Sequence, residues 1–335
     1  MLRALSRAGL SLFGLVVSAV FLWLAVRNVD LDLFWDALRD SDYLWLVPSL
    51  ALIAVAVVVR AWRWQFLFYA ETRPPLPPLI RAMLVGLLFN SILPARAGEA
   101  ARIVVLHQET GTSRVEALGT AVVERVYDVL ALFVLLFAAT PFLPEVTWLR
   151  RAAVIGLALT ALVAVAVFVV ERYGERPVLF VLRPLARIPR VSDAAVERAG
   201  ANLVQGLGAL HRPHLAAPAF TLTVVSWLVL AASFWCVLAA FGLGGLGYDA
   251  AVLMLVTTTL AMVIPSAPGG LGVFEAGGVL ALGAYGVDQS VALSATVVVH
   301  ALNLFPYILA GAIVLHRHVR LLPALRQEAK ARLDA

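Results

Sequence analysis

The chain has one cysteine, one lysine and little charge of either sign. Because Cys236 is the single cysteine in 335 residues, no intramolecular disulfide and no cysteine-based metal motif can form. Lys330 is the single lysine, and the remaining basic residues are arginine. Charged residues make up 14% of the chain, whereas soluble domains carry about a quarter. This composition excludes an ordinary soluble domain.

Long apolar runs take the place of charge, with 62% hydrophobic residues and a mean hydropathy of +0.92. A hydrocarbon core about 30 Å thick is crossed by roughly 20 apolar residues whose backbone groups are satisfied within a helix. The first run follows basic residues as a signal peptide does, but no small-residue cleavage site follows it, so we predict a retained helix. Six full spans are predicted: Gly9–Val26, Tyr43–Val59, Val122–Thr140, Ala152–Val170, Leu215–Phe241 and Val291–Leu315.

Two further apolar regions, Leu79–Leu106 and Ala250–Leu282, are interrupted near their middles. Pro94 interrupts the first, and the sequence from Pro265 to Gly270 interrupts the second. Proline removes a helical hydrogen bond and clashes with the preceding turn, so neither region is predicted to be one straight helix.

Arginine in short loops predicts the orientation, because such loops stay on the cytoplasmic side. The N-terminal tail, the stretch after the second span, the loop 171–214 and the C-terminal tail are basic, whereas the loop 27–42 is acidic. All four basic segments fall on one side if the two broken regions re-enter; Arg150 and Arg151 are the exception. We therefore predict a multi-pass protein of the inner (cytoplasmic) membrane with both termini cytoplasmic, and the net charge of +5 gives no indication of nucleic-acid binding.

In this topology the first broken region enters and leaves from the cytoplasm, and the second enters and leaves from outside. The predicted fold is all-α and polytopic: about six spans plus two re-entrant helical hairpins in inverted repeats. One transmembrane domain covers residues 1–335, with halves of about 43–140 and 215–315. Paired, proline-interrupted segments in matching positions are typical of a transporter site near the bilayer midplane. The alternative is two ordinary kinked helices.

The first break carries polar residues inside apolar sequence: Asn90, Arg96, Glu99 and Arg102. A charge at membrane depth costs roughly 2.5–3.5 kcal/mol on insertion scales, so it usually faces a cavity or a partner. Glu99 and Arg102 are three residues apart and are expected to pair. Arg96 or Arg102 is a candidate phosphate ligand, since a guanidinium matches phosphate oxygens in a fork geometry. The alternative is a buried structural ion pair.

A second charged group, Glu124, Arg125 and Asp128, begins the third full span. Glu124 and Asp128 share a helix face, and Arg125 is expected to point elsewhere. If the first broken region packs here, Arg96 or Arg102 balances the acidic pair and a polar pocket forms. The alternative is side chains at a helix end that extend to the membrane interface.

The second break supplies Ser266, Gly269, Gly270 and Glu275. Its glycines let the backbone turn at membrane depth and expose helix N-termini, which favour anions, and Ser266 is expected to cap one of them. Glu275 is the strongest candidate for a functional acid. It is either a proton carrier, the partner of an arginine from the first half, or only that arginine's counter-ion.

Two other polar segments are interpreted as structural. His300 shares a stripe of the last span with Asn303 and Tyr307, and such stripes make interhelical hydrogen bonds; His300 is also a weak functional candidate. Residues 60–64 alternate arginine and tryptophan at the end of the second span, which is typical of an interfacial anchor.

Taken together, these motifs resemble the flippase-like transmembrane domain of lysylphosphatidylglycerol synthases and its free-standing bacterial and archaeal relatives. The resemblance covers nearly the whole chain and implies movement of a lipid headgroup between leaflets, with aminoacylated phosphatidylglycerol as the substrate in the fused synthases. It rests on Asn90 with Leu93–Glu99, on Glu124 and Arg125 with Asp128, and on Pro265, Pro268–Gly272 and Glu275. Those synthases carry a soluble aminoacyl-transferase domain after the membrane part, and this chain ends at Ala335, so synthase activity is not expected.

The leading hypothesis is a lipid flippase or translocase for an anionic or aminoacylated phospholipid or another lipid-linked headgroup. The alternatives are an intramembrane transferase with Glu99 or Glu275 as a base, and an accessory subunit in envelope lipid or glycan synthesis. No catalytic, metal or cofactor motif is present. The expected partner is lipid, without nucleic acid, and the chain is either a monomer or a homo-oligomer. The candidate substrate-binding residues are Asn90, Arg96, Glu99, Arg102, Glu124, Arg125, Asp128, Ser266, Gly269, Gly270 and Glu275.

Overall fold

Helices form every regular element in the described part of a computed structural model of the chain. That part comprises residues 2–68, 72–93, 97–145, 172–182 and 213–333, together with isolated positions between 151 and 169. The all-α class is confirmed for these residues. The helices are α1 (Leu2–Val26), α2 (Leu31–Arg39), α3 (Leu46–Phe66), α4 (Leu76–Ile92), α5 (Gly98–Thr110), α6 (Arg114–Ala139), α7 (Glu175–Leu182), α8 (Pro213–Ala240), α9 (Tyr248–Ala261), α10 (Val273–Gly283) and α11 (Gln289–Leu333).

Among the described residues, three helical segments are long and apolar enough to cross a membrane: Tyr43–Phe66, Ala216–Ala240 and Gln289–Arg317. α1 and α2 make a fourth if they are counted as one span, although their axes meet at 84°. These segments identify a helical membrane protein. Charged side chains interrupt the apolar stretch of α6, and the predicted span Ala152–Val170 lies outside the described residues apart from isolated positions.

The first broken region forms a helical hairpin, because α4 and α5 lie side by side. α4 tolerates two prolines in its first turn, where backbone N–H groups need no helical acceptor. The two helices approach closely at Gly86 and Gly98: a Cβ added to Gly98 would lie 1.9 Å from the Gly86 carbonyl oxygen. A single kinked helix therefore does not describe this region. Pro94, to which the break was attributed, lies outside the described residues.

The second broken region also forms a hairpin, in which α9 and α10 lie side by side. Its connection, residues 262–272, contains a short 3-10 turn at Pro268–Gly270. Gly272 has φ +87°, and its Cα lies so near α1 that an added Cβ would be 2.3 Å from the Ser18 carbonyl oxygen. Glycine alone combines a readily adopted positive φ with the absence of a Cβ, so the position that caps the start of α10 requires glycine.

The two hairpins meet around a central pair of spans, α3 and α8, which pack along each other. Ser49 on α3 donates a hydrogen bond of 3.0 Å to the Ser233 carbonyl of α8. α11 packs on both α4 and α10, and the second connection touches α4. A Cβ on Gly269 would lie 3.4 Å from the Ser91 carbonyl oxygen. The connection of the second hairpin therefore lies beside the C-terminal end of α4.

Candidate functional site

α6 carries the acidic centre of a charged cluster beside the first hairpin. Glu124 and Asp128 are one helical turn apart and face inward, with relative exposures of 2% and 8%. The alternative in which they extend to the membrane interface is therefore wrong. Burial of two carboxylates in protein requires cationic partners.

Three arginines from three helices contact the Glu124 carboxylate. Arg63 on α3 lies 2.9 Å from it through Nη2, Arg102 on α5 lies 3.0 Å from it through Nη1, and Arg125 on α6 lies 2.6 Å from it through Nη2. Arg102 supplies the balancing charge predicted for it. Arg125 does not point elsewhere as predicted, because its side chain turns back onto Glu124.

Asp128 links the cluster to the central spans. Its Oδ1 atom accepts a hydrogen bond of 2.6 Å from Nη1 of Arg63 on α3 and one of 3.2 Å from the indole N–H of Trp227 on α8. Arg125 lies 3.5 Å from the other carboxylate oxygen. The position of α6 relative to α3 and α8 is thus set by charge-assisted hydrogen bonds as well as by apolar packing.

Glu99 joins the first hairpin to the cluster. Its carboxylate lies 2.7 Å from Nη2 of Arg102 and 3.4 Å from Nη2 of Arg125. The predicted pairing of Glu99 with Arg102 is confirmed. Asn90 on α4 accepts a hydrogen bond of 2.9 Å from the Gly98 backbone N–H, which fixes the start of α5.

These side chains surround a cavity of about 120 Å³, large enough for a few water molecules or one phosphate group. Counted over the described residues, four guanidinium groups and three carboxylates line it, a formal net charge of +1. Among the described residues, the Nε–H groups of Arg63 and Arg102 have no hydrogen-bond partner. The lining is Arg60, Arg63, Met83, Gly86, Leu87, Asn90, Glu99, Arg102, Glu124, Arg125, Asp128 and Trp227.

Arg63 was missed as a site residue, and its interpretation as an interfacial anchor is wrong. It is 1% exposed and binds both acids of α6. Trp64 is also buried, donates a hydrogen bond of 2.9 Å to Thr120, and stacks under Arg102 at 4.6 Å. The signal for Arg63 is helical spacing, since it continues the buried stripe of Ile53, Ala56 and Val57 on α3.

The second hairpin holds a separate polar group built on Glu275. Oε1 of Glu275 lies 2.6 Å from Nδ1 of His300 on α11, and Nε2 of the same imidazole lies 2.9 Å from the Gly269 carbonyl oxygen. Among the described residues, which do not include Arg96, the partner of Glu275 is therefore a histidine and not an arginine. The interhelical hydrogen bond predicted for His300 is confirmed.

Glu275 also caps its own helix, because Oε2 accepts a hydrogen bond of 2.6 Å from the Gly272 N–H. The prediction that Ser266 caps a helix here is wrong: Gly272 stands at the N-cap of α10, and Ala267 stands at that of the 3-10 turn. Ser266 instead packs through its backbone on α1, where a Cβ on Gly14 would lie 3.0 Å from the Ser266 carbonyl oxygen.

The structure divides the candidate residues into two groups. Asn90, Glu99, Arg102, Glu124, Arg125 and Asp128 line one cavity. The other group belongs to the second hairpin: Ser266, Gly269, Gly270 and Glu275. Arg96 lies outside the described residues.

In a comparison with known proteins, residues 11–311 match the family described as the lysylphosphatidylglycerol synthase TM region. The chain is 27% identical to the glycosyltransferase AglD of Haloferax volcanii, in an alignment that covers 95% of this chain and 56% of that protein. It is 22% identical to the UPF0104 membrane protein PH1989 of Pyrococcus horikoshii, over 91% of this chain and 96% of that protein. The chain thus spans little more than half of the glycosyltransferase and nearly all of the UPF0104 protein.

Proposed function

The chain belongs to the family of the lysylphosphatidylglycerol synthase transmembrane region, and we propose that it is a flippase that moves a lipid headgroup between leaflets. The observation that carries the proposal is the charged cavity beside the first hairpin, where arginines from α3, α5 and α6 converge. Ionisable side chains are costly to bury inside a membrane protein, and they commonly mark a substrate or ion pathway.

In this proposal the cavity receives the phosphate of the headgroup. A phosphodiester carries one negative charge, which complements the net positive charge of the lining, and its oxygens accept hydrogen bonds from the unpartnered Nε–H groups of Arg63 and Arg102. In the same proposal Glu99, whose side chain is 29% exposed, binds an amino group of an aminoacylated headgroup. The acyl chains remain in the surrounding lipid.

Both hairpins re-enter the membrane in this proposal, the first from the cytoplasm and the second from outside. Support comes from the side-by-side packing of α4 with α5 and of α9 with α10, from the contact of the second connection with α4, and from the matching order of elements. Each hairpin follows one central span, α3 or α8, and precedes another long helix, α6 or α11. We assign the inverted halves to residues 43–140 and 215–315, in a single multi-pass domain of the cytoplasmic membrane with both termini cytoplasmic.

Flipping is tested in vesicles that contain fluorescent phosphatidylglycerol and the purified full chain, with a quencher added outside. Arg125→Gln removes one guanidinium from the cavity at a side chain that is 45% exposed, so folding is expected to persist. We expect the flipping rate to fall at least about tenfold, the effect of losing one charge-assisted hydrogen bond. The matched control is Arg39→Gln, whose ion pair with Asp36 lies on exposed α2; equal rates for the two variants would contradict the proposal.

The second candidate is a membrane subunit or domain that serves glycosyl transfer to a lipid. The similarity to AglD favours it, because this chain aligns over 95% of its length with part of a protein named a glycosyltransferase. Mass spectrometry after incubation with a lipid-linked acceptor and a nucleotide sugar tests it. A glycosylated lipid that requires the chain would support this candidate, and its absence while flipping persists would exclude it.

A further inference from the structure

We propose that Glu275 and His300 form a proton-binding site, and that the bound proton holds the connection of the second hairpin, residues 262–272, against α11. Both side chains are 7% exposed. The imidazole ring lies flat on the Phe274 ring, with centroids 4.2 Å apart and 20° between planes. The histidine is therefore held in one orientation between two oxygen atoms.

A count of hydrogen atoms shows that this arrangement contains an extra proton. The Gly269 carbonyl only accepts, so the contact of 2.9 Å requires a hydrogen on Nε2 of His300. The contact of 2.6 Å between Nδ1 and the Glu275 carboxylate requires a second hydrogen between those atoms. A neutral imidazole beside an ionised carboxylate supplies only one. The pair therefore binds one proton more, whether it is held on nitrogen or on oxygen.

Loss of that proton breaks one of the two contacts. A neutral imidazole has a single N–H. The other ring nitrogen carries a lone pair, which then faces a lone pair of the neighbouring oxygen, so no hydrogen bond forms there. If the N–H stays with Glu275, the connection loses its hydrogen bond to α11 at Gly269. If it stays with Gly269, the hydrogen bond that ties α10 to α11 is lost. The helix cap from Glu275 to Gly272 needs no proton and persists.

The site is isolated from other ionisable groups in the described part of the chain. Helices α1, α4, α8, α9 and α11 pack on α10 or touch the connection, and Cys236 on α8 is a buried free thiol. The other titratable side chains on these elements contact other groups or lie further along their helices. Arg27 stacks on the Trp23 ring, Arg81 pairs with Glu109, the Tyr248 hydroxyl donates to the Leu228 carbonyl, and the Tyr285 hydroxyl donates to Asp249. Tyr307 lies two turns beyond His300 on α11, and His316 and Arg317 lie near the end of the apolar part of α11. His300 is thus the group that faces Glu275.

The location of the site gives the proton a structural consequence. Gly269 lies beside the Ser91 carbonyl of α4, so the connection held by His300 is also the point where the two hairpins touch. Release of the proton would loosen that contact. A coupling of lipid flipping to this proton rests on the proposed function. The proton-dependent contact between the connection and α11 does not.

Thiol accessibility tests the site without transport of any lipid. The protein carries Cys236→Ala, to remove the natural thiol, and Ser266→Cys in the half-buried connection. Its rate of maleimide alkylation is measured from pH 5 to pH 9 and divided by the rate at Gly245→Cys, an exposed position where an added Cβ would meet no atom within 4 Å. The division removes the ordinary pH dependence of thiol ionisation.

We expect the ratio to rise about tenfold or more with increasing pH, the size of one lost charge-assisted hydrogen bond. The ratio should be independent of pH in His300→Gln and Glu275→Gln, each of which lacks one of the two side chains that hold the proton. A flat ratio in protein that retains His300 and Glu275 would overturn the inference, and this result does not require either variant to fold. An equal rise in the folded variants would overturn it as well. Neither outcome bears on the flipping assay.

Discussion

At the scale of single residues, Arg63 is the strongest test of the charged cluster. It binds Glu124 and Asp128 from a fully buried position. Arg63→Gln leaves both carboxylates short of a cation, and we expect the free energy of unfolding to fall by about 3–5 kcal/mol. The measurement is the midpoint of thermal unfolding in detergent micelles.

The control for that variant is Arg39→Gln, which removes an arginine from an exposed ion pair at 3.8 Å. Exposed pairs contribute little, so no measurable change is expected there. If Arg63→Gln unfolds at the same temperature as Arg39→Gln, Arg63 does not hold the cluster together.

The sequence predicted the contacts of this cluster that are local and missed those that are distant. The ion pair between Glu99 and Arg102 follows from their spacing of three residues on a helix. The shared face of Glu124 and Asp128 follows from a spacing of four. Arg63 stands among tryptophans at a helix end, a pattern that interfacial anchors share. Its partner Asp128 lies 65 residues away, and nothing in the local sequence indicates which helix packs there.

The same limit applies to Glu275. Its burial and polar role were predicted from an apolar run that contains a single acid, but its partner His300 lies 25 residues further along on another helix. The preference for an arginine partner came from counting charges, whereas the packing of α10 on α11 brings a histidine there instead.

At the scale of helical elements, the close approach within the first hairpin makes Gly98 irreplaceable. An alanine Cβ would lie 1.9 Å from the Gly86 carbonyl and 2.6 Å from Oδ1 of Asn90. Because the obstacle is backbone, α4 and α5 must move apart, and we expect Gly98→Ala to destabilise the protein by at least about 1–3 kcal/mol.

Gly245→Ala is the matched control, since an added Cβ meets no atom within 4 Å. It should change the free energy of unfolding by less than about 0.5 kcal/mol. The two variants are compared by thermal unfolding and by yield of monodisperse protein. Equal stability would show that the hairpin is looser than the contact of Gly86 with Gly98 implies.

Proline and glycine predicted that both regions break, but not how each break is built. The first connection extends from Leu93 to Ala97 and the second from Met262 to Gly272, so the two differ in length. The second also packs against α1 through Gly272, a contact with a helix outside the repeat. Similar prolines therefore indicated a common plan without indicating these differences.

At the scale of the whole molecule, the order of span, hairpin and long helix occurs twice, with α3 and α8 packed together at the centre. Hydropathy predicted this order, because each apolar run has its own length and interruption. It did not predict that α3 and α8 pair, since that pairing depends on contacts between distant helices. Those contacts place the charged cavity within the protein.

The measurement that tests the account most directly is the sidedness of the ends of the two hairpins. Single cysteines in a Cys236→Ala background are labelled with a membrane-impermeant maleimide in sealed vesicles of known orientation. Exposed positions flank each hairpin: Thr72 and Ser113 for the first, Gly245 and Asp288 for the second. Two re-entrant hairpins predict that Thr72 and Ser113 react from the cytoplasmic side and that Gly245 and Asp288 both react from the opposite side. Labelling of Thr72 and Ser113 from opposite sides would contradict the account.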